Sequence, residues 1–130
     1  MQIQSQELKL LSEVGLMACV RGDIPAALAI FEAIGHERPQ SPMAYIGSAV
    51  ALLQQGQLQE AIDCLEKGAG QVGPQDQCEL HAFLGLTYLL DKRCAQVEKA
   101  LALAGSVPLG RTLRRAIDGL KLQDGGMPCS

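Results

Sequence analysis

The sequence predicts an all-α protein made of three helical hairpins, stacked as a short right-handed α-solenoid and closed by a C-terminal capping helix. Apolar residues recur at three- and four-residue spacing, as in 43–53, and no segment alternates as a strand does. The chain also repeats itself every thirty-four residues, a period that relates Gly22 to Gly56 and Phe31 to Leu65. A fixed period of this length is typical of proteins built from stacked repeats.

Seven helices are expected, separated by turn residues that interrupt the apolar spacing. Gly22 and Gly56 follow the first helices of two hairpins, where a left-handed residue ends a helix and turns the chain. Asp23 and Ser41 are the expected N-caps of the helices that follow, and Pro25 suits a first helical turn. The predicted helices span residues 5–21, 24–36, 42–55, 58–69, 76–91, 94–104 and 109–121.

The repeating positions resemble the tetratricopeptide pattern, in which W-x2-L-G-x2-Y is followed by A-x3-F and P. In the first copy the seven positions are Leu11, Val14, Gly15, Ala18, Ala27, Phe31 and Pro39, four of which are the pattern's own residues. The second copy has the right residue classes at Tyr45, Ser48, Ala49, Leu52, Ala61 and Leu65. The third has Leu84, Gly85 and Tyr88 two residues late, and its second helix does not place the small residue clearly.

The resemblance implies a scaffold that binds other proteins rather than an enzyme. Small residues such as Gly15 and Ala27 are expected where two helices approach closely, and bulky residues fill the remaining volume. The predicted boundaries are 8–41, 42–75 and 78–107 for the repeats, 109–121 for the capping helix, 1–122 for a single domain and 123–130 for a flexible tail.

Composition and charge argue against several other classes of protein. Only Phe31, Tyr45, Phe83 and Tyr88 are aromatic among 130 residues, so an aliphatic core is expected. The formal net charge is −3. The sequence lacks the basic stripe with stacking aromatic residues that nucleic-acid binding requires. No apolar stretch reaches the roughly 18 residues of a membrane helix, and no signal peptide is recognisable. We therefore expect a cytoplasmic protein without membrane insertion.

No residue pattern predicts catalysis, a cofactor or a metal site. The two histidines, His36 and His81, do not belong to a nucleophile motif. Cys78 and His81 stand three residues apart on one predicted helix, but two ligands without a second pair make a poor metal site. The cysteines, which include no Cys-x2-Cys pair, are expected to act mainly as small packing residues.

A binding surface is expected on the concave face, which the first helix of each hairpin lines. Counted from Leu8, Pro42 and Cys78, the inward positions two, five, nine and twelve are apolar in nine cases of twelve. So continuous an apolar patch is typical of a binding site, and an amphipathic helix is its natural ligand. The candidate groove residues are Leu16, Cys19, Met43, Ile46, Val50, Leu53, Leu86 and Leu89.

Three other uses of this face stay open at the level of the sequence. The C-terminal helix, or residues 1–5, would bury it if either folded into the groove. Two copies of the chain would bury it, or the convex side, by forming a homodimer. Some of its apolar residues would belong to the core between repeats, since a leucine stripe on a helix often packs internally.

Over about residues 8–121 the chain resembles the small tetratricopeptide proteins of bacterial type III secretion, such as needle-subunit chaperones and Hrp accessory proteins. The likeness is carried by Gly15-Leu16-Met17-Ala18, Gly22-Asp23, Ala27, Phe31, Pro39 and Ala51-Leu52-Leu53-Gln54-Gln55-Gly56. It implies a chaperone that sequesters a small helical secretion subunit, or a partner chaperone, before export. The alternative is an adaptor or regulator that acts by homodimerisation or by bridging partners.

Overall fold

The computed structural model describes the backbone of residues 4–124 and the side chains of residues 4–119. Within that part the chain forms seven α-helices and one 3₁₀ turn and contains no strand, which confirms the predicted all-α fold of helical hairpins. The elements are α1 (Ser5–Val20), α2 (Ile24–Glu37), α3 (Pro42–Gln54), α4 (Leu58–Ala69), the 3₁₀ turn (Pro74–Asp76), α5 (Gln77–Leu90), α6 (Cys94–Ala104) and α7 (Pro108–Asp124).

The observed helices lie close to their predicted bounds except at the C-terminal end. The ends of the first six helices differ from the prediction by no more than one residue. The last helix continues to Asp124, three residues beyond its predicted end, so residues 123 and 124 are helical instead of belonging to a flexible tail. The remainder of the predicted tail, 125–130, lies outside the described residues.

The helices pack into two compact units, Met1–Gly73 and Pro74–Ser130. In the first unit α2 packs against both α1 and α3, α1 also touches α3, and α4 packs on α3. In the second unit α5 and α6 form a hairpin, and α7 packs against it, mainly on α5. The expectation of one domain over residues 1–122 stays a prediction.

The core of the first unit is organised around Phe31, whose side chain is completely buried. A Cβ atom added to Gly15 would lie 2.6 Å from Phe31 Cζ, and one added to Gly47 would fall closer still to the ring. Both glycines are required because no side chain fits between the backbones of α1 and α3 and the ring. Thirty-four residues later the corresponding pair is Ala49 and Leu65. Alanine is larger than the glycine of the first hairpin, and leucine is smaller than its phenylalanine.

The same turn joins the two helices of every hairpin. Gly22 and Gly56 have φ angles of 81° and 75°, and each amide donates a hydrogen bond of 3.0 Å to the carbonyl oxygen three residues earlier. Lys92 occupies this position in the third hairpin with a φ of 58° and makes the same hydrogen bond at 3.1 Å. Because the left-handed region favours glycine, the third hairpin makes this turn at a higher conformational cost.

The position of Lys92 gives the internal register of the third hairpin, which the sequence pattern leaves open. In this register Val97 corresponds to Ala27 and Leu101 corresponds to Phe31, and both residues of the third hairpin are buried. A valine thus stands where the pattern calls for a small residue. This substitution and the two-residue offset explain why the tetratricopeptide pattern does not identify the small residue in the second helix of the third repeat.

The last helix, α7, presents one apolar face to the α5–α6 hairpin and one charged face to solvent. Leu113 and Ile117 are buried, while Arg111 is exposed. Arg114 donates two hydrogen bonds, of 3.1 and 2.8 Å, to the carboxylate of Glu98 on α6. These two side chains are 40% and 48% exposed, so water screens the pair and its contribution to stability is modest.

Candidate functional site

The structure separates the four inward positions of each hairpin into open and closed ones. In the first unit, positions two and nine are exposed or half-buried, whereas positions five and twelve are mostly buried. The open positions hold Lys9, Leu16, Met43 and Val50. The closed positions hold Ser12, Cys19 and Ile46, which are buried, and Leu53, which is half-buried.

The residues at the closed positions are covered by neighbouring parts of the protein, and Cys19 is covered by α3. Cys19 is 2% exposed and packs in a core cluster with Ala44 and Ala51 of α3, and this burial raises the pKa of its thiol. Ile46 is 6% exposed. Ser12 is turned inward, where its hydroxyl donates a 2.8 Å hydrogen bond to a backbone carbonyl one turn earlier. Cys19 and Ile46 are therefore core residues that offer a partner little contact area.

Four candidate groove residues of the first unit keep some accessible surface, and we call them the inner strip: Leu16, Met43, Val50 and Leu53. Leu16 is 38% exposed and the other three are half-buried. Met43 and Val50 also contact the core cluster beneath them. All four residues lie on α1 or α3, and none of them lies in a loop. Lys9, seven residues before Leu16 on α1, adds a positive charge to this face.

The second unit carries its own pair of candidate residues. Leu86 and Leu89 lie on α5 and are both half-buried. The two other inward positions of this helix are Glu79, which is exposed, and Ala82, which is buried. The second unit therefore repeats the alternation of open and closed positions with a carboxylate in place of Lys9.

Candidate metal ligands do not converge in the described part of the chain. Among those residues, no three of His, Cys, Asp or Glu are arranged to hold a metal ion. The ring of His81 is half-buried, and its Nδ1 lies 2.7 Å from the carbonyl oxygen of Gln77, one turn earlier on α5. As for membranes, none of the helices between residues 4 and 124 combines the length and the hydropathy needed to cross a bilayer.

Comparisons with known proteins agree with this architecture. Residues 21–78 match the family model described as tetratricopeptide repeat. The chain is similar to the Yersinia enterocolitica type III secretion translocator chaperone SycD, with a TM-score of 0.71 and 19% identity, over 96% of this chain and 90% of that one. It is also similar to a chain of the CopN–Scc3 complex, with a TM-score of 0.67 and 20% identity, over 92% and 71%. No curated protein matches the sequence.

The fold is a tetratricopeptide-repeat fold. The matched segment begins at the turn of the first hairpin and ends at the start of α5, before the irregular third hairpin. The solved structures extend the likeness over nearly the whole chain, and at these identities the likeness concerns the fold. The expected resemblance to tetratricopeptide proteins of type III secretion is thereby confirmed.

The sequence interpretation missed a second set of exposed apolar residues, on the side of α1 that faces away from the core. Leu10 is 62% exposed, Val14 45% and Met17 54%. Their spacing of four and three residues places them on one face of the helix. A comparison at the period of thirty-four would have revealed them, because Leu10 and Met17 correspond to the small residues Ala44 and Ala51 of α3.

Proposed function

We propose that this tetratricopeptide protein is a cytoplasmic chaperone of type III secretion, not an enzyme, that sequesters an amphipathic helix of a small secreted or polymerising subunit. The observation that supports this most directly is the likeness of nearly the whole fold to SycD, a type III secretion translocator chaperone, and to a chain of the CopN–Scc3 complex. The accessible apolar residues of the inner strip support the proposal, because such a role requires apolar contacts.

The proposed ligand is a helix with apolar residues at one-turn spacing, which is the pattern that a shallow apolar groove recognises. Leu16 and Val50 are the central contacts, since they stand at the same open position of α1 and α3. Lys9 would attract an acidic side chain, or the C-terminal end of the bound helix with its partial negative charge. This inner strip is smaller than the eight-residue groove predicted from the sequence, because Cys19 and Ile46 are core residues and Leu86 and Leu89 belong to the second unit.

The binding energy would come from burial of apolar surface on both partners. Each Å² removed from water contributes about 25 cal/mol, and the sum must exceed the cost of ordering the bound helix. A subunit whose sticky face lies on the inner strip has no such face free for another subunit. Premature assembly in the cytoplasm is thereby blocked until export removes the subunit from its chaperone.

The test begins with the tagged protein captured from its native host, followed by identification of any protein recovered at near one-to-one stoichiometry. Binding of that protein is then measured for Leu16→Asp and Val50→Asp, which place a carboxylate on the inner strip. We expect each variant to weaken binding by at least about tenfold, because the carboxylate must be desolvated on complex formation. Helicity by circular dichroism should not change.

Leu103→Asp is the matched control, because Leu103 is 57% exposed on α6 and lies outside every candidate surface. It should bind the partner as the wild type does. Retained binding by both inner-strip variants would rule out the groove, and a loss shared by the control would point to a general effect on folding. The buried Ile46 is unsuitable for this test, since a charge there would disrupt the core.

The second candidate function is an adaptor or regulator that acts by homodimerisation or by bridging partners. The exposed apolar face of α1 favours it, because large apolar patches on a folded surface mark sites of association. A stable dimer recovered from the native host without any second protein would support the adaptor and count against the chaperone.

A further inference from the structure

A cleft of the second unit lies between the C-terminal end of α6 and the first turns of α7, and its volume is about 290 Å³. Half of the residues that line it are arginines of α7, although the whole chain has a net charge of −3. We call it the arginine cleft, and its lining residues are Leu101, Gly105, Gly110, Arg111, Arg114 and Arg115.

In the part of the chain that the structure describes, one of these three arginines is paired with a carboxylate. Arg114 donates hydrogen bonds of 3.1 and 2.8 Å to Glu98. These hydrogen bonds, with a smaller contribution from the charge of Asp118, raise the pKa of Arg114. Arg111 and Arg115 are exposed and form no ion pair with another described residue. Two guanidinium groups of the arginine cleft are therefore available for an anionic ligand.

The stability of α7 does not account for this clustering of positive charge. Arg111 lies three residues before Arg114 and four before Arg115, and like charges at these spacings repel each other on a helix. Arg111 also lies near the N-terminal end of α7, which begins at Pro108, and a positive charge is unfavourable there. Residues that contradict such local preferences are typical of functional sites.

We propose that the arginine cleft binds an acidic segment of a partner protein in an extended conformation. A guanidinium group is planar and forms two parallel hydrogen bonds with a carboxylate. The Cβ atoms of residues one turn apart on a helix, such as Arg111 and Arg115, are about 5–6 Å apart. In an extended segment, residues i and i+2 are about 6–7 Å apart and their side chains point to the same side. Arg111 and Arg115 can therefore each bind one of two carboxylates that stand two residues apart.

The size and the lining of the arginine cleft favour a peptide over a nucleotide or a nucleic acid. Its volume of about 290 Å³ lies at the lower end of the range for small-molecule pockets, roughly 300–1,000 Å³. None of the four aromatic residues lines it, so a base would find no stacking partner. Gly105 and Gly110 have no side chains, so a peptide backbone can approach closely. The inference does not depend on the chaperone function, because the inner strip belongs to the first unit.

Fluorescence anisotropy of the full chain with a labelled, terminally blocked peptide tests the proposal. In this probe glutamate alternates with serine, and in the control peptide glutamine replaces every glutamate. At low salt the acidic probe should bind at least about tenfold more tightly than the control, and added salt should weaken its binding. Equal binding of the two peptides would overturn the proposal. A single-stranded oligonucleotide of equal charge that displaces the probe at a lower concentration would also overturn it, because the cleft would then recognise phosphates.

Variants of the arginines test whether the probe lies in the arginine cleft. Arg111→Gln and Arg115→Gln should each raise the dissociation constant by about two- to fivefold, and the double variant by at least about tenfold. Arg21→Gln is the matched control, because Arg21 is an exposed arginine of the first unit and its replacement changes the net charge by the same amount. It should bind the probe as the wild type does. Equal weakening by this control would contradict the proposal, since the probe would then respond to net charge alone.

Two further measurements separate this inference from an effect on folding and from the proposed function. Arg111→Gln should not lower the free energy of unfolding in urea, because it removes the repulsion from Arg114 and Arg115. A lowered value would mark the loss of binding as an effect on folding and count against the proposal. Leu16→Asp should bind the acidic probe normally while it loses the helical partner of the inner strip. If Leu16→Asp loses the probe and the double arginine variant keeps it, the probe binds the inner strip and the arginine cleft is not its site.

Discussion

The first and third hairpins make the same close helix contact with different tolerances. In the first unit Gly15 faces Phe31, and an added Cβ would lie 2.6 Å from the ring. In the second unit the corresponding pair is Gly85 and Leu101, and the added Cβ would lie 3.2 Å from Leu101 Cδ2, the end of a flexible side chain. A glycine at the same repeat position is thus essential in one hairpin and replaceable in the other, because the residue opposite decides how much space is left.

The turns of the first and third hairpins differ in the opposite sense, because the backbone is strained in the turn of the third hairpin and unstrained in that of the first. The first hairpin turns at Gly22, which tolerates its φ of 81°, whereas the third turns at Lys92 with a φ of 58°. Asp23 then caps α2 by accepting a 3.3 Å hydrogen bond from the amide of Ala26, while the N-cap of α6, Arg93, makes no side-chain cap. The first hairpin is therefore tight in its core and relaxed in its turn, and the third is looser in its core and strained in its turn.

The largest difference is expected when the two glycines are replaced by alanine. Gly15→Ala should destabilise the protein by about 1–3 kcal/mol, because the added methyl group overlaps the Phe31 ring. Gly85→Ala should be neutral or stabilising by up to about 1 kcal/mol, since Leu101 can shift and alanine favours the helix. Urea unfolding followed by circular dichroism gives both values. Equal effects of the two substitutions would contradict the comparison.

A double-mutant cycle with Phe31→Leu tests whether the Phe31 ring limits the space at Gly15. Phe31→Leu recreates in the first hairpin the leucine that the second and third hairpins have at this position. In that background Gly15→Ala should cost far less, because the smaller side chain leaves room for the methyl group, as Ala49 and Leu65 coexist in the second hairpin. The coupling energy of the double-mutant cycle should reach about 0.5–3 kcal/mol. Additive effects would show that the ring does not limit the space at Gly15.

The turns should respond with smaller changes of opposite sign. Lys92→Gly should stabilise the protein by about 1 kcal/mol or less, because glycine relieves the left-handed strain although it also gains freedom in the unfolded chain. Gly22→Ala should destabilise it by about 1 kcal/mol. Thermal unfolding midpoints measured side by side provide the comparison. If Lys92→Gly lowers the midpoint, the left-handed backbone at this residue is not a source of strain.

Most of the fold follows from the sequence, because the spacing of apolar residues and the turn glycines are local signals. The helix ends near Gly22 and Gly56 are well placed for this reason. The third hairpin is harder, since Lys92 replaces the turn glycine and Val97 replaces the small residue. The fold accommodates both of these departures from the repeat pattern. The pattern alone gives no information about the packing around them.

The candidate groove is less predictable than the fold, because periodicity identifies which helix face a residue occupies but not which neighbour covers it. Cys19 and Ile46 have the right spacing for the concave face and are buried all the same. Leu16 and Val50 share that spacing and stay accessible. For Cys19 the covering neighbour is α3, since Cys19 packs in one core cluster with Ala44 and Ala51. The exposed apolar residues Leu10, Val14 and Met17 of α1 escaped notice for a related reason, since their spacing is that of ordinary core positions.

The smallest expected effect concerns the ion pair that links α6 and α7 in the second unit. Glu98→Gln removes the charge of a carboxylate that accepts two hydrogen bonds from Arg114 and should cost about 0.2–1 kcal/mol at low salt, since both side chains are partly exposed. The cost should shrink in high salt, which already screens the pair. Urea unfolding at two salt concentrations measures both values. A loss above this range, unaffected by salt, would mean that the contact of α7 with α6 depends on shape and hydrogen bonding more than on charge.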